Sequence, residues 1–566
     1  MNSSNQTKQR SATTRFKTAF RWNGGRTYAW QAAAVLLVLV YIAGLHWSND
    51  GLWYQGDSPR HAANGLFWWD FITSFPVNPI KFALSYYARY PVIHPTGYPP
   101  LFYLIEGLAF GVLGASPFIA KGLVLTFALL GGLYLTAWLR RWICEEAGWA
   151  GALLILQPGI IIWTNAVMLN IPSMALGLAA LYHARRWIET PASRHLYLTA
   201  FFALAGILTY IPTGIVVFVI LAWVLFERRW MLLWDRRVFI LGLLSALILL
   251  PCALVMFRWT PTHFGSIYPT SKLVQSFSMW TYYLETIPAL FTAPVLVLAM
   301  LGAVFGLRHR RWRQEGKLLL IWFFVCYIGF SYLRFREPRY VLLLGPPSVL
   351  LSMVGLVSLL QWGAEWLKKP SWVFLTGMAL LLLFHLSQAP FVKVPTVDGF
   401  QEVVAFLERV APEEIIFYDG NFDGVLTFYL RAGDQYFKRG VVLGSKLLYA
   451  NTIFARWRLT ERVSSPAGVV QALRKEGGCK WVAIERHGVA DRVPAARFLR
   501  QAATGPEFEL VKSFPIRTRN NKTWVDVYRF LPPVEKPDKV DLPFPGLGKD
   551  AVFRVKPIEK NSKGIR

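Results

Sequence analysis

Charge is scarce in this chain: Asp, Glu, Lys and Arg make up 16% of its 566 residues, against about 25% in soluble domains. Acid is the scarcer sign, with 33 acidic residues against 60 basic ones and a formal net charge of +27. Cysteine is nearly absent; Cys144, Cys252, Cys326 and Cys479 stand far apart, which excludes a disulfide framework and a paired-cysteine zinc site. No Walker, HExxH, GxSxG or GxGxxG motif occurs, which argues against ATP-driven transport, zinc or serine hydrolysis and dinucleotide binding. Basic motifs interleaved with aromatics are missing as well, so the positive charge does not point to nucleic acid. No internal repeat is evident.

What the chain has instead is apolar length. It is 54% hydrophobic and 15% aromatic, and the apolar residues gather in runs such as AAAVLLVLVYIAGL (32–45) and FILGLLSALILLPCALVMF (239–257). Runs of about 18 or more can cross a hydrocarbon core. The composition therefore predicts a polytopic α-helical membrane protein. The basic N-terminus, 1–27, leads straight into the first run. That run is too long for a signal-peptide core and has no small-residue cleavage site before Trp47, so it reads as a retained anchor.

Lys and Arg concentrate on the cytoplasmic side of membrane proteins. Here they cluster in 1–27, at Arg140 and Arg141, at Arg185 and Arg186, in 227–237, in 308–317, and at Lys368 and Lys369. About eleven crossings put all six clusters on one side: 28–47, 118–139, 149–165, 171–187, 195–210, 212–227, 237–257, 286–307, 317–333, 340–360 and 371–389. The transmembrane domain is thus 28–390, and an odd count leaves the C-terminus outside. Residues 98–115 are apolar, but a crossing there would reverse Arg140 and Arg141. They read as an interfacial helix in a long external loop, 48–117, whose stretches 66–72 and 79–90 are also amphipathic and suit the membrane surface.

From 391 the pattern changes. Short β-branched and aromatic runs (414–419, 440–444, 481–485, 508–514, 524–530) alternate with helical stretches (398–410, 466–476, 490–502). This predicts an extracytoplasmic α/β domain over 391–531 with a mainly parallel sheet, then an extended Pro- and Lys-rich tail, 532–566. The Asn521-Lys-Thr sequon would also lie outside.

Chemistry is sought where ionisable groups meet the outer membrane face. Asp57, in LWYQGDSPRHAANG (52–65), follows the first span, with Arg60, His61 and His94 in the same loop. A carboxylate there can act as a general base or hold a metal; it can also simply cap the helix beginning at Ser58 and Pro59. Arg334, Arg336, Glu337 and Arg339 in SYLRFREPRYVLLLGPP (331–347) suit a phosphate, or anchor the span at the headgroups. The external stretch 261–283 could close over such a site, its lone His263 reading as structural.

Four stretches in order resemble the GT-C membrane glycosyltransferases, the superfamily of the protein O-mannosyltransferases and the bacterial aminoarabinose transferases. They are GDSPRHA (56–62), YPPLFYLIEGLAFGVLG (98–114), MLNIPSMALGLAALYHARRW (168–187) and REPRYVLLLGPP (336–347), and the resemblance covers about 28–350. It implies a sugar donor linked to polyprenyl phosphate and transfer with inversion to an external lipid, glycan or protein acceptor. Asp57 would be the base, with Arg60, His61, His94, Tyr98, Asn170, Arg334, Arg336 and Arg339 binding substrate, in a cell-envelope enzyme of the bacterial inner membrane. Ser58 stands where many relatives carry a second carboxylate, Tyr98 where the aminoarabinose transferases carry Lys, and Asn170 where the usual residue is Asp. An amide is a poorer metal ligand than a carboxylate, so the expectation is no cofactor, with a divalent metal not favoured. The competing class is a secondary transporter or lipid flippase; inverted repeats and charged broken helices at the midplane would mark it, and the sequence has neither.

Overall fold

The computed structural model describes residues 24–47, 57–94, 96–259, 277–333, 336–367, 370–434, 437–452, 458–487, 493–518, 522–535, 540–543 and 552–555. Arg334, Lys368, Lys369, Asn521, the basic N-terminus to residue 23 and His263 with the rest of 260–276 lie outside them. Helix α1 (Gly24–His46) leads to three further helices, α2 (Asp57–Ser74), α3 (Pro79–Arg89) and α4 (Leu101–Leu113). Asn78 caps α3, its side chain accepting from the Lys81 amide at 2.9 Å ahead of Pro79; proline suits the first helical position because its missing N–H is not needed there. The α2–α3 corner exposes Ile72, Phe75, Val77 and Ile80, with Phe75 in the left-handed region at φ 43°.

Helix α5 (Pro117–Trp142) is followed by α6 (Ala150–Ile155), α7 (Pro158–Thr164), α8 (Asn170–Glu189), α9 (Ser193–Thr209), α10 (Ile215–Phe226) and α11 (Arg236–Trp259). Then come α12 (Phe277–Leu290), α13 (Ala293–Arg308), α14 (Arg313–Ser331), α15 (Gly345–Leu367) and α16 (Pro370–Gln388). Among the described residues five helices are long and apolar enough to cross a membrane: Gly25–His46, Pro117–Trp142, Arg236–Trp259, Pro338–Leu360 and Phe374–Phe391. Two bent pairs raise the number to seven. The expected count of about eleven is not established. The stretches expected at 195–210 and 212–227 are helical but short, and charged end turns dilute Asn170–Glu189 and Arg313–Ser331.

Two expected spans are broken rather than continuous. The run 149–165 bends by 57° between α6 and α7, and 286–307 falls across a 120° bend between α12 and α13. Pro158 and Pro294 sit at the start of the second helix in each case, where proline begins a helix without continuing the previous one. The freed polar groups find partners: Gln157 Oε1 accepts from the Thr292 amide at 3.2 Å, and the Thr292 hydroxyl meets His385 Nε2 at 2.6 Å. Elsewhere small residues bring helices to backbone contact, as in other membrane interiors. A Cβ on Gly302 of α13 would overlap the Leu351 carbonyl of α15, and one on Gly355 would overlap the Leu298 carbonyl.

The C-terminal domain holds a six-stranded sheet in the order β1-β7-β8-β6-β2-β3. Its strands are β1 (Val397–Asp398), β2 (Ile415–Asp419), β3 (Gly440–Leu443), β6 (Trp481–Glu485), β7 (Phe508–Thr518) and β8 (Lys522–Phe530); β4 (Tyr449–Thr452) pairs with β5 (Arg458–Glu461), and β9 (Val540–Pro543) with β10 (Val552–Val555). All five sequence-derived strands are present. The sheet is mixed, however, not mainly parallel: only β2 runs parallel to both its neighbours, while β6–β8, β8–β7 and β7–β1 are antiparallel. Only three residues separate Thr518 from Lys522 in the chain, too few for a parallel crossover.

Helices α17 (Phe400–Val410) and α18 (Asp423–Ala432) follow β1 and β2, and α18 packs on α2. Arg431 of α18 forms a buried ion pair with Asp70 of α2, and Tyr86 donates to the same carboxylate at 2.7 Å. Tyr90 donates to Asp434 at 2.8 Å. The two domains are therefore joined by desolvated polar bonds. Removing one partner of a buried pair leaves the other charge stranded, at about 3–5 kcal/mol. Arg431→Ala is expected to destabilise the docked protein by about that much, read as a lowered melting temperature and as new protease sensitivity in 391–531.

Candidate active site

The site is built where four segments meet at the head of α2. Asp57 is the first residue of α2, and Ser58 behind it is fully buried, its hydroxyl accepting from the Val167 amide at 2.9 Å. That bond ties α2 to the link between α7 and α8. From the other side comes the 3-10 turn Pro338–Leu344, which opens α15 and carries Arg339. Arg339 Nη2 lies 2.9 Å from Asp57 Oδ2, and its Nε lies 2.9 Å from Glu337. Asn170, at the start of α8, donates to the Arg339 carbonyl at 3.3 Å. The guanidinium also sits 5.8 Å from the Trp163 ring and 5.9 Å from Tyr340.

Aromatic rings close the rest of the wall. The Tyr98 ring packs edge-on to His61 at 5.0 Å and lies 6.4 Å from Tyr210, itself 6.5 Å from Tyr340. His61, one turn beyond Asp57 on α2, is buried and shares a 2.6 Å hydrogen bond between its Nδ1 and the Tyr103 hydroxyl.

Electrostatics fit an ionised carboxylate. Burial, the largest influence on Asp57, acts to raise its pKa, but Arg339 and the other nearby cations outweigh it and hold the carboxyl below its usual range. Burial pushes His61 down to about 4 against the pull of Asp57, so the imidazole is neutral at pH 7. Burial, with Asp57 adding to it, pushes the Tyr98 hydroxyl up. Among the described residues Arg339 is the one hydrogen-bond donor to Asp57, and it engages Oδ2. Among the described residues no donor engages Oδ1.

Of the sequence-derived residues, Asp57, His61, Tyr98, Asn170 and Arg339 come together. His94 stands one layer out, where its amide donates to Asn64 Oδ1 at 2.7 Å and ties its loop to α2. Arg60 turns away to Asp423 of the C-terminal domain at 3.3 Å. Arg336 lies at the rim, its Nε bound to the Leu333 carbonyl at 3.1 Å, and among the described residues it pairs with no carboxylate. Sequence reasoning missed Trp163, Tyr210, Tyr340, Tyr103 and the part played by Glu337; the one signal was an aromatic at each helix break. Among the described residues no group of three or more His, Cys, Asp or Glu side chains gathers that could hold a metal ion.

No protein-family model and no curated protein sequence matches the chain. Among solved structures it is similar to ArnT from Cupriavidus metallidurans bound to undecaprenyl phosphate, at 15% identity and a TM-score of 0.59 over 88% of this chain and 97% of that one. The chain has the GT-C fold. The apo state of ArnT aligns over the same 88% of this chain, at 16% identity and a TM-score of 0.59, covering 98% of its own. The archaeal oligosaccharyltransferase AglB from Archaeoglobus fulgidus, in complex with an inhibitory peptide and a dolichol-phosphate, is similar at 12% identity and a TM-score of 0.52, over 81% of this chain and 69% of its own.

His61 makes a pH prediction. The unfolded chain binds a proton there below its ordinary pKa of about 6.5, the folded one only near 4. The stability is complete above 6.5 and drains away as pH falls towards 4, by about 3 kcal/mol in all. His61→Asn keeps a polar atom for Tyr103 without titrating, so thermal unfolding across pH 7 to 4.5 is expected to show a shallower acid slope than the wild type.

Proposed function

We propose that this chain is a GT-C-type membrane glycosyltransferase, a hexosyl- or pentosyltransferase. It moves a sugar from a polyprenyl-phosphate donor to an extracytoplasmic lipid, glycan or protein acceptor with inversion. The observation that carries this reading is the ionised Asp57, steadied by Arg339 on one oxygen and with no donor on the other among the described residues, at the head of α2 in a fold the chain has in common with undecaprenyl phosphate-bound ArnT. Asp57 Oδ1 takes the proton from the acceptor hydroxyl or amine. The freed electron pair attacks the anomeric carbon from the face opposite the phosphate. The bond from that carbon to the phosphate oxygen breaks, and its electrons leave on the polyprenyl phosphate.

Charge builds on the leaving phosphate, and cations aimed at developing charge are the strongest means of lowering such a barrier. Arg336 is the cation with capacity to spare for it, Arg334 being its neighbour in sequence, whereas Arg339 is spent on orienting the base. Tyr98, neutral His61 and Asn170 shape the sugar and acceptor side, with His94 behind them. A carrier lipid that stays in the bilayer accounts for the apolar framework. On this reading the site and the C-terminal domain face outward from a bacterial inner membrane.

The test uses purified full-length protein in lipid nanodiscs with a panel of undecaprenyl-phosphate-linked hexoses and pentoses, following label into lipid, glycan and protein fractions. Asp57→Asn is expected to cut transfer by about 10²- to 10⁴-fold while undecaprenyl phosphate still binds. Transfer near the wild-type rate would remove the base.

A further inference from the structure

We propose that Asp423 of the C-terminal domain is a positioning residue for the site: it holds Arg60 away from Asp57. This rests on the reading of Asp57 as the base. Arg60 follows Asp57 by three residues on α2, a spacing that puts two side chains on one helix face. Its Nη2 is drawn instead to Asp423, 3.3 Å from Oδ2 and 3.5 Å from Oδ1. Two carboxylates thus compete for one guanidinium. Asp423 is the larger influence on the charge of Arg60, raising its pKa, and Asp57 a smaller one in the same direction.

The competition is settled by how firmly Asp423 is placed. It opens α18, and its own Oδ1 accepts from the Gly424 amide at 2.7 Å. Gly424 lies against the start of α2: a Cβ there would come within 2.9 Å of Pro59 Cγ. Only a glycine lets the backbone approach so closely. From below, the buried Glu485 at the end of β6 accepts from the amides of Asn421 and Phe422 at 3.0 and 3.1 Å, and from the Tyr418 hydroxyl. The turn that carries Asp423 is therefore fixed on its inner side by a carboxylate and pressed on its outer side against Pro59.

Loss of Asp423 frees Arg60 to swing one helical turn back. The charged and titratable groups facing Asp57 are Arg339 from the 3-10 turn and Glu337 just before it, His61 and Arg60 from α2 itself, and Tyr98 from the loop before α4; those facing Arg60 are Asp423, Asp57 and Tyr87. With Arg339 already on Oδ2, Arg60 would take Oδ1, the oxygen an acceptor needs. An added cation within about 4–6 Å lowers a carboxyl pKa by about 1–3 units.

Asp423→Asn keeps the shape and removes the charge. In the full-length protein it is expected to lower kcat about tenfold or more, to move the acid limb of the kcat profile down by about one pH unit, and to leave KM for the lipid-linked donor nearly unchanged. Adding Arg60→Gln removes the intruding cation and is expected to restore both rate and profile. A strut without this role would give a loss that Arg60→Gln does not repair, and that outcome overturns the proposal. An activity-free arm keeps the two readings apart. The cryo-EM structure of Asp423→Asn in nanodiscs is expected to have Arg60 on Asp57. Arg60 still directed at residue 423 sinks the inference whatever the enzyme assay reads. If the wild type transfers no sugar while Arg60 does move, the glycosyltransferase reading fails and the competition stands.

Discussion

A charge withdrawn from water has to find its opposite, and that constraint organises the outer end of this molecule. The pair between Asp57 and Arg339 joins residues 282 positions apart in the chain. Arg339 is almost wholly enclosed, and the carboxylates of Asp57 and Glu337 together meet a guanidinium charge that would be costly to enclose alone. Asp57 therefore fixes where the 3-10 turn before α15 comes to rest, and Arg339 fixes the head of α2. The third segment adds one bond to each, from the Val167 amide to Ser58 and from the Asn170 side chain to the Arg339 carbonyl. The base of the proposed reaction and the lock that closes the external loop onto the membrane domain are the same carboxylate.

The C-terminal domain extends this arrangement. Its contacts with α2 and α3 run through Arg60 and Asp423, Arg431 and Asp70, and Tyr90 and Asp434, with rings such as Phe110 and Phe428 between them. Directional bonds of this kind fix register as well as contact, which an apolar interface alone does poorly. The domain is thus part of how the site is held, rather than a passenger beyond it.

Much of this was legible from the residues. Long apolar runs located the helices, and β-branched clusters located the strands of the domain. The acidic and RY-containing stretches named both ends of the Asp57–Arg339 pair. What escaped notice has physical causes. A bent pair such as α6–α7 has the same hydropathy as a straight span, and only Pro158 hinted at the break. Sheet direction depends on which strands become neighbours, and β8 inserts beside β6, far from it in sequence. Trp163, Tyr210 and Tyr340 look like the aromatics that any span places at a headgroup layer. Partners such as Arg431 and Asp70, 361 positions apart, leave no local mark. Arg60 read as a substrate ligand because its competitor lies in another domain.

The glycine contact between α13 and α15 has a consequence reaching well beyond the bilayer interior. Gly302 and Gly355 let two backbones touch, and α15 continues directly from the turn that holds Arg339. A single methyl group at either glycine would act as a wedge under a rigid rod, prying the helices apart at depth and tilting the rod's outer tip. Inherited tolerance to change should then run opposite to distance from Asp57: the residues around it can be exchanged, while two hydrogen atoms where α13 crosses α15 cannot be spared.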